Sequence, residues 1–206
     1  MLMNKLESID RAIVLFVNGL HTPLLDEIMW FLSGRFSLIP LYLLLLILLK
    51  SQNSWRNTII ILSGLTFSIL LADQISVHFF KNGFERYRPS HNEELKYLLH
   101  FYEVKPGEYY QGGKYGFVSS HAANFFALIA FIFPFYKEKK NWILAGLILV
   151  GILVAISRIY LGVHYFSDVL VGATFGIIIG FSIRKILFII CKKSIFPFNE
   201  NNLTEN

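Results

Sequence analysis

Long apolar stretches constrain the fold of this chain more than any other feature. The five clearest, separated by polar segments, cover roughly 36–49, 58–80, 119–135, 142–157 and 166–190. A helix of about 20 predominantly apolar residues can cross the hydrocarbon core of a bilayer. Only 16% of the residues are charged and 54% are hydrophobic, which argues against a soluble domain of this size. We therefore predict an all-α, polytopic membrane helical bundle with about five transmembrane helices.

The N-terminal segment has a different pattern. Residues 4–20 carry apolar side chains on one side, with charged residues interrupting the run, which predicts an amphipathic helix at the membrane interface. Thr22-Pro23 predicts the start of a second interfacial helix, because Thr caps helices and Pro suits their first turn. Both helices could alternatively pack into the bundle. We thus predict N-terminal amphipathic helices over 1–35, a membrane-embedded domain over 36–190, and a polar, disordered tail over 191–206.

Alternation of the five spans determines which polar segments share a side of the membrane. The loops 50–57 and 137–141 share one side with the C-terminus, whereas the loop 82–118 and the turn 158–165 lie on the other. Short loops dense in Lys and Arg stay in the cytoplasm, and the first side carries them. We expect a bacterial cytoplasmic (inner) membrane protein whose second group of loops faces the outer, periplasmic side.

Three polar clusters lie at the ends of spans on this predicted outer side. They are Lys81 to Arg88-Pro89, Ser119-Ser120-His121, and Arg158 with His164 and Asp168. Three cations around two imidazoles repel one another unless an anion lies among them, and phosphate suits the paired donors of Arg and the point charge of Lys. The free N–H groups at the start of the third span also favour an oxyanion. Considered alone, Lys81 or Arg88 is better explained by snorkelling to the interface.

The two histidines suggest a division of roles beside a bound phosphate. His164 and Asp168 are four residues apart, so on a helix the carboxylate can accept a hydrogen bond from Nδ1–H of the imidazole and leave Nε2 free. His164 is then the nucleophile that becomes phosphorylated, and His121 is the general acid toward the departing alcohol. The cations supply the charge that a metal ion would supply, so we expect neither a metal site nor another cofactor.

These clusters resemble the three motifs of the type 2 phosphatidic acid phosphatase family, which shares its core with vanadium haloperoxidases. The first and third match that family at every defining position, whereas the middle one has Val118 and Ser120 in place of the usual proline and glycine. The resemblance implies that Lys81, Arg88, Ser119, Ser120 and Arg158 bind phosphate, that His121 is the acid, and that His164 is the nucleophile oriented by Asp168. Ser120 retains the backbone N–H of the glycine but adds a side chain that narrows the pocket.

The leading interpretation is an integral membrane phosphatase that hydrolyses a lipid phosphate or diphosphate. Undecaprenyl diphosphate is the first expected substrate, followed by phosphatidic acid, phosphatidylglycerol phosphate and lipid A phosphate. A lipid phosphotransferase would use the same residues. Haloperoxidase chemistry would need vanadate at His164 and is disfavoured, because haloperoxidases are typically larger and soluble. A non-enzymatic transporter or scaffold gives no reason for both histidines to share one face.

Other features add little to this interpretation. The net charge of +5 arises mainly from cations that flank apolar runs, so we expect the lipid bilayer and a lipid substrate as partners, with no nucleic acid and no protein. Asp73 lies inside an apolar span, where a hydrogen bond to a neighbouring helix is the preferred explanation and lining of a substrate cleft the alternative. Arg86 is placed outside the site, paired with Glu85 or with lipid headgroups.

Overall fold

A computed structural model of the protein describes residues 2–34, 36–136 and 141–191. Its helices are α1 (Leu2–Asn18), α2 (Pro23–Ser33), α3 (Ile39–Gln52), α4 (Trp55–Gln74), α5 (Asn82–Phe84), α6 (Ser120–Tyr136), α7 (Asn141–Tyr160) and α8 (Phe166–Cys191). A π-helical segment, Ile75–Lys81, joins α4 to α5, a 3-10 turn covers Pro89–His91, and strands β1 (Glu103–Lys105) and β2 (Glu108–Tyr109) form a small antiparallel hairpin. The tail predicted beyond residue 191 lies outside the described residues.

The five predicted spans correspond to α3, α4, α6, α7 and α8, so the prediction of an all-α membrane bundle is confirmed. Within the described residues, three continuous helices are long and apolar enough to cross a bilayer: Trp55–Phe84, Trp142–Tyr160 and Phe166–Cys191. The apolar helices Ile39–Gln52 and Ser120–Phe135 are shorter. At about 1.5 Å per residue, the first helix exceeds the hydrocarbon thickness of about 30 Å. Its end at Lys81 can therefore reach the headgroup region.

Helix α6 lies at the centre of the bundle and contacts α4, α7 and α8. Its small residues allow the glycines of α8 to approach its backbone closely. A Cβ atom added at Gly172 would lie 2.6 Å from the carbonyl oxygen of Ser119, and one at Gly176 would lie 2.1 Å from that of Ala123. Only glycine permits this spacing, which holds the start of α6 against the start of α8.

The N-terminal helices pack onto the bundle. Helices α1 and α2 meet at an angle of 118°; α1 contacts α7 and α8, and α2 contacts α7. Thr22 caps α2 as predicted, since its Oγ1 accepts from the backbone N–H of Leu25 at 3.2 Å. Asn18, at the end of α1, donates to the carbonyl oxygens of His100 and Tyr160, both at 2.7 Å. These contacts favour packing against the bundle, the alternative left open by the sequence.

Candidate active site

The three polar clusters meet at one end of the bundle. Lys81 Nζ donates to Ser120 Oγ at 2.8 Å, which connects the end of the π-helical segment to the start of α6. The backbone N–H of Ser119 donates to the carbonyl oxygen of Asp168 at 2.9 Å, which connects α6 to α8. Arg88 in turn contacts His164, at 3.2 Å. Helices that alternate in direction thus bring together residues that are far apart in the chain.

The tight turn between α7 and α8 positions His164. Gly162 adopts a φ of +67°, and the backbone N–H groups of Val163 and His164 both donate to the carbonyl oxygen of Arg158, each at 3.2 Å. A positive φ is readily adopted by glycine, so this residue type lets the chain reverse within a few residues. The turn places the imidazole of His164, which is only 1% exposed, among the other clusters.

The neighbours of His164 define its tautomer. Arg88 Nη1 lies 3.2 Å from Nε2, and Asp168 Oδ2 lies 3.5 Å from Nδ1. Because a guanidinium group can only donate, Nε2 must carry a lone pair and the ring proton faces Asp168. Burial, followed by the nearby Arg88 and Arg158, lowers the pKa of His164 well below its usual range. The imidazole is therefore neutral, with its unprotonated nitrogen directed at the cationic cluster.

Arg88 is fixed by the loop that precedes α6. Its Nε donates to the carbonyl oxygen of Tyr115 at 3.1 Å, and its Nη1 donates to that of Val163 at 3.2 Å. Burial and then the charge of Arg158 lower the pKa of Arg88 to about 10, so it remains charged at neutral pH. Gly112 and Gly116 lie against the Arg88 side chain, where an added Cβ would approach it to 2.9 and 3.0 Å. These glycines were not among the predicted site residues, because the glycine content of the loop does not indicate which side chain its glycines contact.

Arg158 and Ser119 complete the predicted phosphate-binding set. Arg158 is only 2% exposed and donates from Nη2 to the hydroxyl of Tyr110 at 2.9 Å. Within the described residues, Arg158 Nε and Ser119 Oγ are buried without a hydrogen-bond partner. Buried polar atoms are costly when unpaired, and these two lie in a cationic cluster that suits an oxyanion. Tyr110 had no signal in the sequence that pointed to this cluster.

Asp168 is held in place by the cation Arg86, which also pairs with a second carboxylate, Asp10. Arg86 Nη1 donates to Asp168 Oδ1 and Arg86 Nη2 donates to Asp10 Oδ2, both at 2.8 Å. Asp10 Oδ1 also accepts from the backbone N–H of Ser167 at 2.9 Å. The expected pairing of Arg86 with Glu85 or lipid headgroups is therefore wrong: its guanidinium turns inward and connects α1 to the start of α8.

His121 lies on α6 and Asp73 lies near the end of α4. His121 is half-buried in the first turn of α6, close enough for its charge to contribute to the lowered pKa of His164. Asp73 Oδ1 accepts from Asn124 Nδ2 at 3.0 Å, so the preferred explanation, a hydrogen bond to a neighbouring helix, is confirmed. The two histidines thus come from different parts of the fold, His121 from α6 and His164 from the turn between α7 and α8.

Comparison with known proteins extends the resemblance beyond the motifs. The family model described as the PAP2 superfamily matches residues 57–190. A lipid A 4'-phosphatase from Porphyromonas gingivalis is 31% identical over 89% of this chain and 75% of its own length. Phosphatidylglycerophosphatase B from Bacillus subtilis is 27% identical over 88% of this chain and 84% of its own length.

A solved structure shares the fold. The crystal structure of a transmembrane PAP2-type phosphatidylglycerolphosphate phosphatase from Bacillus subtilis has a TM-score of 0.65. At 23% identity, the match covers 94% of this chain and 90% of that one. The family match includes the helices that carry all three clusters. This chain is therefore an integral membrane protein of the PAP2 superfamily.

Proposed function

We propose that this protein hydrolyses a phosphate monoester of a membrane lipid through a phosphohistidine intermediate. The observation that carries the proposal is the placement of His164 between Arg88 and Asp168. A neutral imidazole with a free Nε2 is a nucleophile, and the guanidinium beside that nitrogen is positioned to bind the phosphate under attack. The carboxylate on the other nitrogen stabilises the charge that the ring gains on attack.

The remaining residues divide the work of binding and proton transfer. Lys81, Arg88, Ser119, Ser120 and Arg158 bind the phosphoryl oxygens. His121 gives a proton to the departing alcohol and then takes one from the water that cleaves the phosphohistidine. Asp168, supported by Arg86, keeps His164 in its reactive tautomer. The cationic side chains supply the transition-state charge, so we expect phosphate release to persist after treatment with EDTA.

The relatives favour one substrate class among those predicted. Two of them, from Porphyromonas gingivalis and Bacteroides thetaiotaomicron, are lipid A 4'-phosphatases with 31% identity to this chain. They support a phosphate monoester of lipid A as the substrate, which was an alternative predicted from the sequence. Undecaprenyl diphosphate, the first expected substrate, stays a prediction. The site lies at one end of the bundle, so a lipid substrate can keep its acyl chains in the bilayer. We place this end at the outer face of the cytoplasmic membrane, as the distribution of cations in the loops predicts.

The test is release of inorganic phosphate from a panel of lipid phosphates by the purified protein. The panel contains lipid A, phosphatidylglycerol phosphate, phosphatidic acid and undecaprenyl diphosphate. We expect the highest kcat/KM on lipid A, with activity lost in His164→Asn and reduced by about 100-fold or more in His121→Asn. His78→Asn is the matched control, because His78 is an exposed histidine on the π-helical segment.

Two results would contradict the proposal. One is undiminished phosphate release by His164→Asn. The other is recovery of the substrate phosphate on a second lipid instead of as free phosphate, which would indicate transfer and not hydrolysis. Lipid A as the poorest substrate of the panel would overturn the assignment of substrate class alone.

A further inference from the structure

A cavity of about 380 Å³ opens beside the proposed general acid. Its walls come from α2, α3, α4, α6 and α7, and Ser120 and His121 form the part nearest the cationic cluster. Much of the remaining lining is apolar, as at Leu38 and Phe125. Ser120 and His121 thus connect the cavity to the phosphate site, whereas Arg86 and Asp168 do not line it.

The cavity contains a pair of polar side chains whose free atoms are acceptors. Asn124 Nδ2 donates to Asp73 Oδ1 at 3.0 Å. Asn124 Oδ1 is then a buried acceptor that has no partner among the described residues. The second oxygen of Asp73 is a further acceptor. Polar groups inside a membrane bundle are costly, so such a pair indicates a function.

These acceptors complement a hydrogen-bond donor and not an anion. The neighbouring phosphate site consists of hydrogen-bond donors: Lys81, Arg88 and Arg158. The cavity offers the opposite chemistry, with acceptors inside apolar walls. A hydroxyl or amide N–H fits it, since either group can donate to Asp73 or Asn124 while the carbon skeleton contacts Leu38 and Phe125.

We infer that this cavity binds the leaving alcohol of the substrate and selects for a hydroxyl or amide N–H close to the phosphate ester; the inference rests on the proposed function. As His164 Nε2 forms its bond to phosphorus, the bond between phosphorus and the ester oxygen breaks. That oxygen takes the proton of His121 and leaves as a neutral alcohol on the cavity side. Asp73 and Asn124 are then specificity residues that accept from a second donor on the same alcohol.

The chemistry of the pair also distinguishes monoesters from diphosphates. When a polyprenyl diphosphate is cleaved, the leaving group is itself a phosphate, which presents acceptor oxygens and negative charge. The only donor of such a group is the oxygen that His121 protonates, so it has no second donor for Asp73 or Asn124. Amino-sugar phosphates, and glycerol phosphates with a free hydroxyl, carry a second donor near the ester that Asp73 or Asn124 can accept. The cavity therefore favours polyol or amino-sugar phosphates over polyprenyl diphosphates.

The experiment compares two substrates that differ in one hydroxyl. They are 1-acylglycerol 3-phosphate and its 2-deoxy analogue, assayed for phosphate release with the full-length protein in mixed micelles. We expect the unaltered protein to prefer the hydroxyl substrate by about tenfold in kcat/KM. In Asp73→Leu and Asn124→Leu the ratio should fall toward one. Ser68→Ala, a buried change on the same helix α4, should keep the preference of the unaltered protein.

The ratio of kcat/KM values is independent of the fraction of folded enzyme, so partial misfolding of a variant does not obscure the result. A preference that persists in both Leu variants, or that is absent from the unaltered protein, would overturn the assignment of the cavity. Absence of phosphate release from either substrate and from the lipid panel would instead overturn the proposed function, and the cavity assignment with it.

Discussion

His164 is enclosed by cationic side chains, and this environment determines the pH range in which it can act. Burial, followed by Arg88 and Arg158, lowers the pKa of the imidazole well below its usual 6.5. A lowered pKa keeps the ring neutral, and hence nucleophilic, as the pH falls through its ordinary titration range. We therefore expect the acid limb that His164 contributes to kcat/KM, measured on a lipid phosphate, to lie below pH 6.5.

The dependence of kcat/KM on pH in the variant Arg88→Gln provides the comparison. The substitution removes a nearby cation, so the pKa of His164 should rise and the acid limb should move to higher pH, while the titration of the substrate itself stays the same. The overall kcat/KM should also fall, since Arg88 is proposed to bind phosphate. An acid limb at the same pH in both proteins would show that Arg88 does not control the ionisation of His164.

The role of Arg86 could not be predicted from the sequence. Arg86 connects Asp168 to Asp10, which lie 82 residues after it and 76 residues before it. Asp10 is 4% exposed, although the amphipathic pattern placed it on a helix at the membrane interface. A single sequence contains no signal for a pairing that is made only when α1 folds against α8. The motif residues were predictable because their chemical types and their positions at span ends already indicated one shared site.

A substitution of Arg86 should lower the turnover number more than it weakens substrate binding. Arg86→Gln leaves Asp168 without its cationic partner, so His164 is held less firmly in the reactive tautomer. We expect kcat to fall by about tenfold or more with KM little changed, the magnitude typical of partners that orient a reacting group. The measurement is steady-state kinetics on a lipid phosphate.

Arg11→Gln is the matched control for Arg86→Gln. Arg11 also makes ion pairs, with Glu7 and Glu94, but these do not involve the site. Equal losses of kcat in the two variants, or a change confined to KM in Arg86→Gln, would contradict a positioning role for Arg86.

At the scale of the helices, the contact between α6 and α8 brings the second and third motifs together. Gly176→Ala should destabilise the protein, because its Cβ would lie 2.1 Å from the carbonyl oxygen of Ala123. We expect a loss of about 1–3 kcal/mol in the free energy of unfolding, as for other overpacked cores. The check is a lowered Tm in detergent relative to the unaltered protein.

Gly146→Ala, on α7, is the control for this contact. Nothing lies within 4 Å of a Cβ atom added there, and alanine favours a helix over glycine. Its Tm should be unchanged or raised. A Tm for Gly176→Ala equal to that of Gly146→Ala would mean that the close approach of α6 and α8 does not contribute to stability.

The spanning helices were easier to predict from the sequence than the loop that precedes α6. The apolar runs identified the spanning helices to within a few residues, because the absence of charge is itself the signal for a membrane span. Alternation of direction then placed the ends of α4, α6, α7 and α8 on one face. The loop that precedes α6 had no periodicity, so the contacts of Gly112, Gly116 and Tyr115 with Arg88 could not be predicted from it.

For the whole molecule, the bundle acts as a scaffold that holds three clusters, distant in the chain, together at one end. The fold and the family follow from features that are local in the chain: apolar runs and short motifs at their ends. We infer that substrate preference depends on the cavity beside His121, which five helices form together. Of the polar pair in this cavity, Asp73 was the one residue to which the sequence drew attention. Its position inside a span indicated a polar contact but did not identify the partner, Asn124.

The most direct test of the whole account is to trap the phosphorylated protein. The purified protein is mixed with a lipid substrate that carries ³²P in its phosphate, quenched at alkaline pH, and digested for mass spectrometry. The account predicts an acid-labile, alkali-stable phosphoryl group on His164, absent from His164→Asn. Rapid release of labelled phosphate with no label on the protein, or label on any residue other than His164, would contradict it.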